Sequence, residues 1–417
     1  MTGPAWKREI LLIQRTSTIA LAVLACLLVI VAPARAASPT PAASAANRAF
    51  PAPVTSRTAD VPATVTTGSR FNAWLADVPD GSVVEFPTNA SIDLDAGFAI
   101  ERRSNLVLRL NGATLRVHGP GDVPESSPFF VRESSHIAIE GPATVLGNNP
   151  NTTTVFMPGS ENSHVLALSG WGGQGPSSYI EMTGIDAHNV YGDFAYLEGR
   201  NVAPYEPSSF VWVHGNTGTY IGRNAVSSID VTDALIEANT FDKIGLDAWD
   251  IEPNFDGQQV RRNVFRSNHI GAYSLRTESD GWLLSTWNET TAPIEDITLA
   301  DNDVLGVGSK GHGGGPRGLH IQIDHSRTRN VVVTNNRTSQ PAPGPVMHFV
   351  NVDGLIVDGN VQPLASGDLE TFEAGSGRLR IYLAGMVVVL GATLLLAGAY
   401  RRRRSAGRRG SGEPGRT

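Results

Sequence analysis

The chain of 417 residues carries 33 basic and 40 acidic side chains, for a formal charge of −7, and a single cysteine. Residues 1–36 hold four basic and one acidic residue and residues 379–417 hold eight and one, which leaves 21 basic against 38 acidic, a net of −17, over 37–378. A surface of that sign repels polyanions, so nucleic acid is excluded as a partner, and free polyuronate is disfavoured unless a cation intervenes.

Lys7, Arg8 and Arg15 precede an apolar run over residues 19–31, and Ala34-Arg35-Ala36 follows. A basic segment, a hydrophobic segment and a small-x-small site predict a signal peptide over 1–36. Cys26 lies inside it, so the mature chain has no disulfide and depends on its core. Residues 37–68, rich in Ala, Pro, Thr and Ser, read as a disordered linker. Phe71, Trp74, Leu75 and Val78 recur at helical spacing and predict a short amphipathic helix that stops at the turn Pro79-Asp80-Gly81.

From there to residue 363 the pattern is short and strand-like, as in SVVEF, NLVLRLNGATLRV, HIAIEGPATVLG and YIEMTGIDAHNV. Stretches 147–178 and 305–318 read as insertions, the second with Gly311-His312-Gly313 in a glycine-rich loop. Residues 364–378 are a polar linker. Residues 381–400 are uncharged and apolar, long enough for a bilayer span. Arg401, Arg402, Arg403 and Arg404 follow directly, which predicts a transmembrane helix over 379–400 and a basic cytoplasmic tail over 401–417. The expected location is therefore the cell membrane, single-pass, with residues 37–378 outside.

The second half carries a periodic signal. Asn239, Asn263, Asn302, Asn336 and Asn360 each stand three residues after an apolar residue: Ile236, Val260, Leu299, Val333 and Val357. A unit of 24 to 39 residues that repeats in this way signals a solenoid, in which each repeat buries its apolar face only against its neighbours. Propeller blades need about 40–45 residues each, and 24 are too few. The pattern resembles the right-handed parallel β-helix of the pectate-lyase-like superfamily over roughly residues 70–362. The expected fold is all-β: a right-handed parallel β-helix over 69–363, closed by an N-terminal capping helix and followed by one transmembrane helix.

Candidate chemistry concentrates in three consecutive coils. Aligning Gly192-Asp193, Gly222-Arg223 and Leu246-Asp247 stacks Asp193, Arg223 and Asp247. The offset of 24 between Asn239 and Asn263 stacks Trp249 on Tyr273, Asp250 on Ser274, Ile251 on Leu275 and Glu252 on Arg276. Asp250 and Glu252 then share an outer face. Carboxylates crowded beside arginines split into one protonated acid and one ionised base, the requirement for acid–base catalysis. The expected catalytic residues are Asp193, Asp247, Asp250 and Glu252. Arg223, Arg276, Trp249, His188 and Tyr196 are expected to hold substrate. Trp171, Tyr205, Trp212, Tyr220, Trp282 and Trp287 add aromatic surface on which sugar rings stack.

The resemblance implies a carbohydrate-active protein that acts on an envelope or extracellular polysaccharide by hydrolysis, elimination or epimerisation. A non-catalytic glycan-binding or adhesion protein is the alternative. No cofactor is required on this reading, although Asp247, Asp250, Glu252 and Arg276 could imitate the calcium-assisted site of a lyase.

Overall fold

The computed structural model describes residues 49–118, 126–149, 161–276, 281–286, 290–305, 318–325, 327–338 and 347–361, together with the backbone of Arg380–Tyr382. Residues 1–48 (the signal segment and the first part of the linker), Trp287, Gly311-His312-Gly313, residues 362–379 (with the polar linker) and residues 383–417 lie outside the described residues. Among the described residues no helix is long and apolar enough to cross a membrane. Arg380–Tyr382, expected at the start of the membrane helix, instead pair as a strand with Ile356–Asp358.

The strands form three columns, and the strand pairings within each are parallel. One column runs through Ser82–Glu85, Ser104–Arg109, Ser208–His214, Val231–Glu237, Ile294–Ala300 and Thr328–Thr334. A second includes Thr217–Ile221, Thr240–Ile244 and His269–Ile270. The third runs Phe98–Glu101, Phe129–Arg132, Leu166–Gly170, Ala195–Arg200, Val226–Ser228, Trp249–Ile251, Leu284–Thr286, Ile321–Asp324 and Met347–Val350. The chain visits the three columns in turn, coil after coil. This is the parallel β-helix expected from the sequence.

Strands alternate their faces with a period of two. In the third column Phe98, Phe129, Leu166, Ala195, Val226, Trp249, Leu284, Ile321 and Met347 point inward and belong to one continuous core. Strand neighbours lie about 4.8 Å apart, so each rung packs on like rungs above and below. The N-terminal end is closed by the helix Gly68–Leu75, capped by the Thr67 side chain, which accepts from the Arg70 amide. Phe71 and Leu75 are buried beneath it, with the Phe71 ring 4.1 Å from Phe98. The solenoid starts earlier than the expected linker boundary at 68: Arg57–Asp60 already pairs with Ser82–Glu85.

At the corner between the first two columns sits the asparagine ladder: Asn216, Asn239, Asn268, Asn302, Asn336 and Asn360. Asn239 shows the rule. Its Oδ1 accepts the Asn216 amide N–H (3.1 Å) and Nδ2 (3.0 Å), while its own Nδ2 donates to Val213 O (2.9 Å) and Asn268 Oδ1 (3.0 Å). Asn268 repeats this with Ile236 O and Asn302 Oδ1. A carboxamide supplies two donors and an oxygen with two lone pairs, so the slot leaves nothing unsatisfied. The residue before each rung is left-handed, with φ of 60° at Gly215, 54° at Ala238 and Ser267, 55° at Asp301, 56° at Asn335 and 64° at Gly359.

Asn263, expected as a rung, is not one. It is buried but bonds the backbone of the adjacent strand, accepting from Ala234 N (2.9 Å) and donating to Val231 O (3.4 Å). The apolar residue three before the true rung is Phe265, which stacks between Ile236 and Leu299.

Replacing Asn268 with alanine strands several buried donors and acceptors and should lower stability by about 2–4 kcal/mol. Asn263→Ala should cost clearly less. Urea unfolding of both variants checks this, and an equal or reversed order would refute the assignment of rungs.

Candidate active site

A second ladder occupies the turn that leads into the third column, and its rungs are not uniform. The His164 amide donates to Ser127 Oγ (3.1 Å) and the Asp193 amide to His164 Nδ1 (3.0 Å). The Asn224 amide donates to Asp193 Oδ1 (2.9 Å), the Asp247 amide to Asn224 Oδ1 (2.9 Å) and the Trp282 amide to Asp247 Oδ1 (2.5 Å). Each coil thus needs one side-chain acceptor for the N–H of the next, and any acceptor of suitable reach serves. The sequence trace is a polar residue two before each inward strand residue, as in His164-Val165-Leu166, Asp193-Phe194-Ala195, Asn224-Ala225-Val226 and Asp247-Ala248-Trp249.

The outward positions of the third column come next. Tyr196, Ser227, Asp250 and Ser285 stack in register. They connect to the ladder as one network. Ser227 Oγ donates to Asp193 Oδ2 (2.9 Å). Asn224 Nδ2 donates to Ser227 Oγ (3.0 Å) and to Asp250 Oδ2 (3.1 Å). Ser285 Oγ contacts Asp247 Oδ2 (2.5 Å) and Asp250 Oδ1 (3.1 Å). Glu252, two residues on along the same outer face, is close enough for its charge to act on Asp250. Arg223 Nε lies 3.6 Å from Asp193 Oδ1. Tyr196 stacks on the fully buried His164 ring at 4.6 Å.

The environments drive these groups apart. Burial alone would raise Asp193, but the charge of Arg223 and the bond from the Asn224 amide outweigh it and hold that carboxyl below the ordinary range. Asp247 is pushed up to about 7 by burial, against the bonds from Ser285 and Trp282 and with the charges of Glu252 and Asp193 adding to it. Asp250 is raised well above an ordinary carboxyl by burial, then by Glu252 and Asp247. Glu252 is raised by burial, with Arg223 opposing. Glu198, a further outward residue that accepts from Ser169 Oγ (3.0 Å), is raised by burial to about 7. Burial lowers His164, whose Nδ1 lone pair is already engaged by an N–H, so the imidazole is neutral. The cluster holds at least one protonated carboxyl beside an ionised one, the pairing that general acid–base chemistry uses.

Asp193, Arg223, Tyr196, Asp247, Asp250 and Glu252 therefore come together as expected, with one change of register: Asn224, not Arg223, stacks between Asp193 and Asp247. The other candidates are placed differently from the expected stacking. Trp249 alternates with Asp250 and faces the core, fully buried, its indole N–H bonded to Ser228 Oγ (3.0 Å). His188 sits on the second column, paired with Asp186 (3.0 Å). Trp249, Asp250 and Ile251 stack on Leu284, Ser285 and Thr286, not on Tyr273, Ser274 and Leu275. Leu275 and Arg276 bond the backbone of Ile244 and Gly245 instead, so Arg276 does not stack on Glu252. The turns differ in length, so an offset measured at one corner does not hold on another side of the coil. Sequence reasoning also missed His164, Glu198, Asn224, Ser227 and Ser285.

Among the described residues no group of three or more His, Cys, Asp or Glu side chains is arranged to hold a metal ion. The oxygens of Asp247 accept from the Trp282 N–H and contact Ser285 Oγ. A concavity of about 440 Å³ lies elsewhere, against the cap helix between Asn72, Leu75, Asp80 and Arg103, and its Asp80 and Arg103 pair with each other at 2.8 Å. Of the expected aromatic surface, Trp212 and Trp249 are buried. Trp171 is 55% exposed, and Tyr205 stacks on the 45% exposed Phe255 at 5.4 Å.

No protein-family model matches the chain, and no curated protein sequence does. Solved structures with a similar course include the tailspike protein of Acinetobacter baumannii phage AM24, at 10% identity over 70% of this chain and 52% of that one (TM-score 0.42). This chain thus spans about half the tailspike's length. PfbA, a surface adhesin of Streptococcus pneumoniae, is 10% identical over 70% and 81% (TM-score 0.42). An exopolygalacturonase of Thermotoga maritima is 13% identical over 74% and 77% (TM-score 0.42).

The raised carboxyls predict a pH signature. A carboxyl raised in the folded state binds more protons there than unfolded, so stability falls as pH climbs from the unfolded value near 4 to the folded one. For Asp247 that window is about pH 4 to 7. Asp247→Asn keeps the ladder acceptor and should be more stable than the parent at pH 8 by on the order of 1–3 kcal/mol, with the gap closing near pH 4. Urea midpoints at the two pH values test it.

Proposed function

We propose that the protein is a carbohydrate-active enzyme that acts on a neutral or weakly charged extracellular or envelope glycan by carboxylate acid–base chemistry, with Asp250 and Glu252 as the central pair. One observation carries this reading. Asp247, Asp250 and Glu252 on one coil share a bonded network with Asp193, Arg223 and Asn224 on the two coils before it. A column of surface ion pairs needs no such concentration of buried acids: Arg109 with Glu85 and Glu140, or Arg329 with Glu295, match each acid to a base. Here Asp193, Asp250 and Glu252 share the guanidinium of Arg223, and Asp247 adds its charge beside Asp250.

On this reading Asp250 enters protonated, and Glu252 beside it is the more accessible of the two. Arg223 stabilises the ionised partner. Asn224 fixes Asp250 Oδ2 and the backbone of Asp247 together. Tyr196, half-buried beside the network, borders the approach. Trp171 and the Tyr205–Phe255 pair offer flat surfaces on which pyranose rings stack. The net charge of −17 over 37–378 favours uncharged sugar over polyuronate. The terminal apolar runs support a secreted protein tethered with its solenoid outside.

The second reading is a non-catalytic glycan-binding surface protein. It is favoured by the full engagement of both oxygens of Asp193 and of Asp247 in backbone and hydroxyl bonds.

Against a panel of defined neutral polysaccharides, Asp250→Asn and Glu252→Gln should each lower turnover about 10²–10⁴-fold with the circular dichroism unchanged. Binding without any change in chain length or stereochemistry would select the second reading. Full activity in the Asp250→Ala, Glu252→Ala double variant would remove this site from consideration.

A further inference from the structure

Ser285 lies in the coil that follows the acid strand, directly over Asp250 in the outward column. Its hydroxyl is 2.5 Å from Asp247 Oδ2 and 3.1 Å from Asp250 Oδ1. A serine hydroxyl carries one hydrogen, and an ionised carboxylate carries none. With both acids ionised, the hydroxyl could satisfy only one of them. The other would set its lone pairs against those of Oγ at hydrogen-bond distance, inside a site where Asp250 is 6% exposed and Ser285 4%. The two contacts are jointly favourable only if one carboxyl is protonated.

The direction of the bonds follows from the neighbours. Asp247 Oδ1 is held by the Trp282 N–H, so that carboxyl is stabilised as an acceptor, and its short contact with Ser285 receives the hydroxyl hydrogen. Asp250 Oδ2 accepts from Asn224 Nδ2, which leaves Oδ1 to carry the proton toward Ser285. We propose that Ser285 is a positioning residue that relays one proton shared between Asp247 and Asp250, in the arrangement Asp250 O–H to Ser285 O–H to Asp247 carboxylate. Transfer of both hydrogens along the line leaves the mirror state, with Asp247 protonated and Asp250 ionised; no atom is gained or lost. Protonation of one acid and ionisation of the other are thereby tied together, and proton delivery from Asp250 is recharged from Asp247.

Among the described residues, the groups that face this relay are these. Glu252, on the same strand, is the competing acceptor for the Asp250 proton. Asp193, Tyr196 and Arg223 face it from the preceding coils, and Arg223 favours ionised carboxylates. On the following coil the column continues as the uncharged Gln322, and His320 stacks on Trp282 at 3.4 Å. The catalytic use of this relay rests on the glycan-active reading above, but the shared proton itself does not.

The test is residue-specific titration of the full-length protein carrying ¹³C-labelled aspartate carboxyls, assigned with Asp247→Asn and Asp250→Asn. In the parent, the Asp247 and Asp250 signals should each show both inflections of a coupled pair, with one proton retained between them at neutral pH. In Ser285→Ala the two curves should separate and the Asp247 midpoint should rise by about one pH unit, the equivalent of one lost hydrogen bond to a charged group. Ser285→Thr, which keeps the hydroxyl, should restore the parent pattern; a merely structural contact would give no such rescue. Independent single-step titrations in the parent, or an unchanged pattern in Ser285→Ala, would overturn the relay. If no glycan is turned over, the titration still decides the relay. If glycan is turned over but the alanine variant titrates as the parent, the relay fails and the activity reading stands.

Discussion

From Ser127 onward the described coils turn corners that bury backbone N–H groups, and a buried N–H without an acceptor is expensive. The solution there is a side chain lent by the adjacent coil. The two ladders are this one constraint met twice. Because each rung satisfies its neighbour rather than itself, the coils cannot be stable singly, and stacking becomes obligatory.

The corners differ in how much freedom the slot leaves. At the asparagine corner the side chain must accept two bonds and donate two, and a carboxamide of that length does so without remainder. At the other corner the only demand is one acceptor for one N–H. Serine, histidine, aspartate and asparagine all comply. That tolerance is what allows ionisable groups to be placed at fixed positions in a column without loss of the ladder bond. Asp193 and Asp247 are first of all structural acceptors, each with one oxygen committed to backbone. Asp250, Glu252 and Ser285 stand on the strand beyond and are released from that duty. The division explains why neighbouring carboxyls of one chemical type are driven in opposite directions: Asp193 down beside Arg223, Asp250 up among its fellow acids.

Much of the fold was legible because the asparagine slot admits one residue type and so repeats visibly. The rule of an apolar residue three before the rung also names Val213 with Asn216 and Phe265 with Asn268, which the structure confirms as rungs. Asn263 obeys the same rule after Val260, and only its hydrogen bonds separate it from the ladder. The site was half legible. D-x-x-D-x-E is dense enough to notice, and Asp193 and Arg223 lie at nearly the right spacing. Asn224, Ser227 and Ser285 carry no such mark, because an ordinary polar residue before or within a short strand is common. His164 was hidden inside a stretch that read as an insertion but contains the strand Leu166–Gly170.

The sequence alone determined the class of architecture, the acidic surface, the cap helix and the outward face shared by Asp250 and Glu252. These follow from composition and from periodicities of about 2 and 3.6 residues, which are local properties. Only the tertiary structure decided which coil lies on which. A strand two residues from the acids could have met Ser274 or Ser285 with equal local propriety, and the choice was fixed by turn lengths summed around the coil. The coils put Ser285 between two carboxyls and turned Trp249 into the core, because register on each side of a solenoid is set by packing across the whole turn rather than by any spacing along one segment.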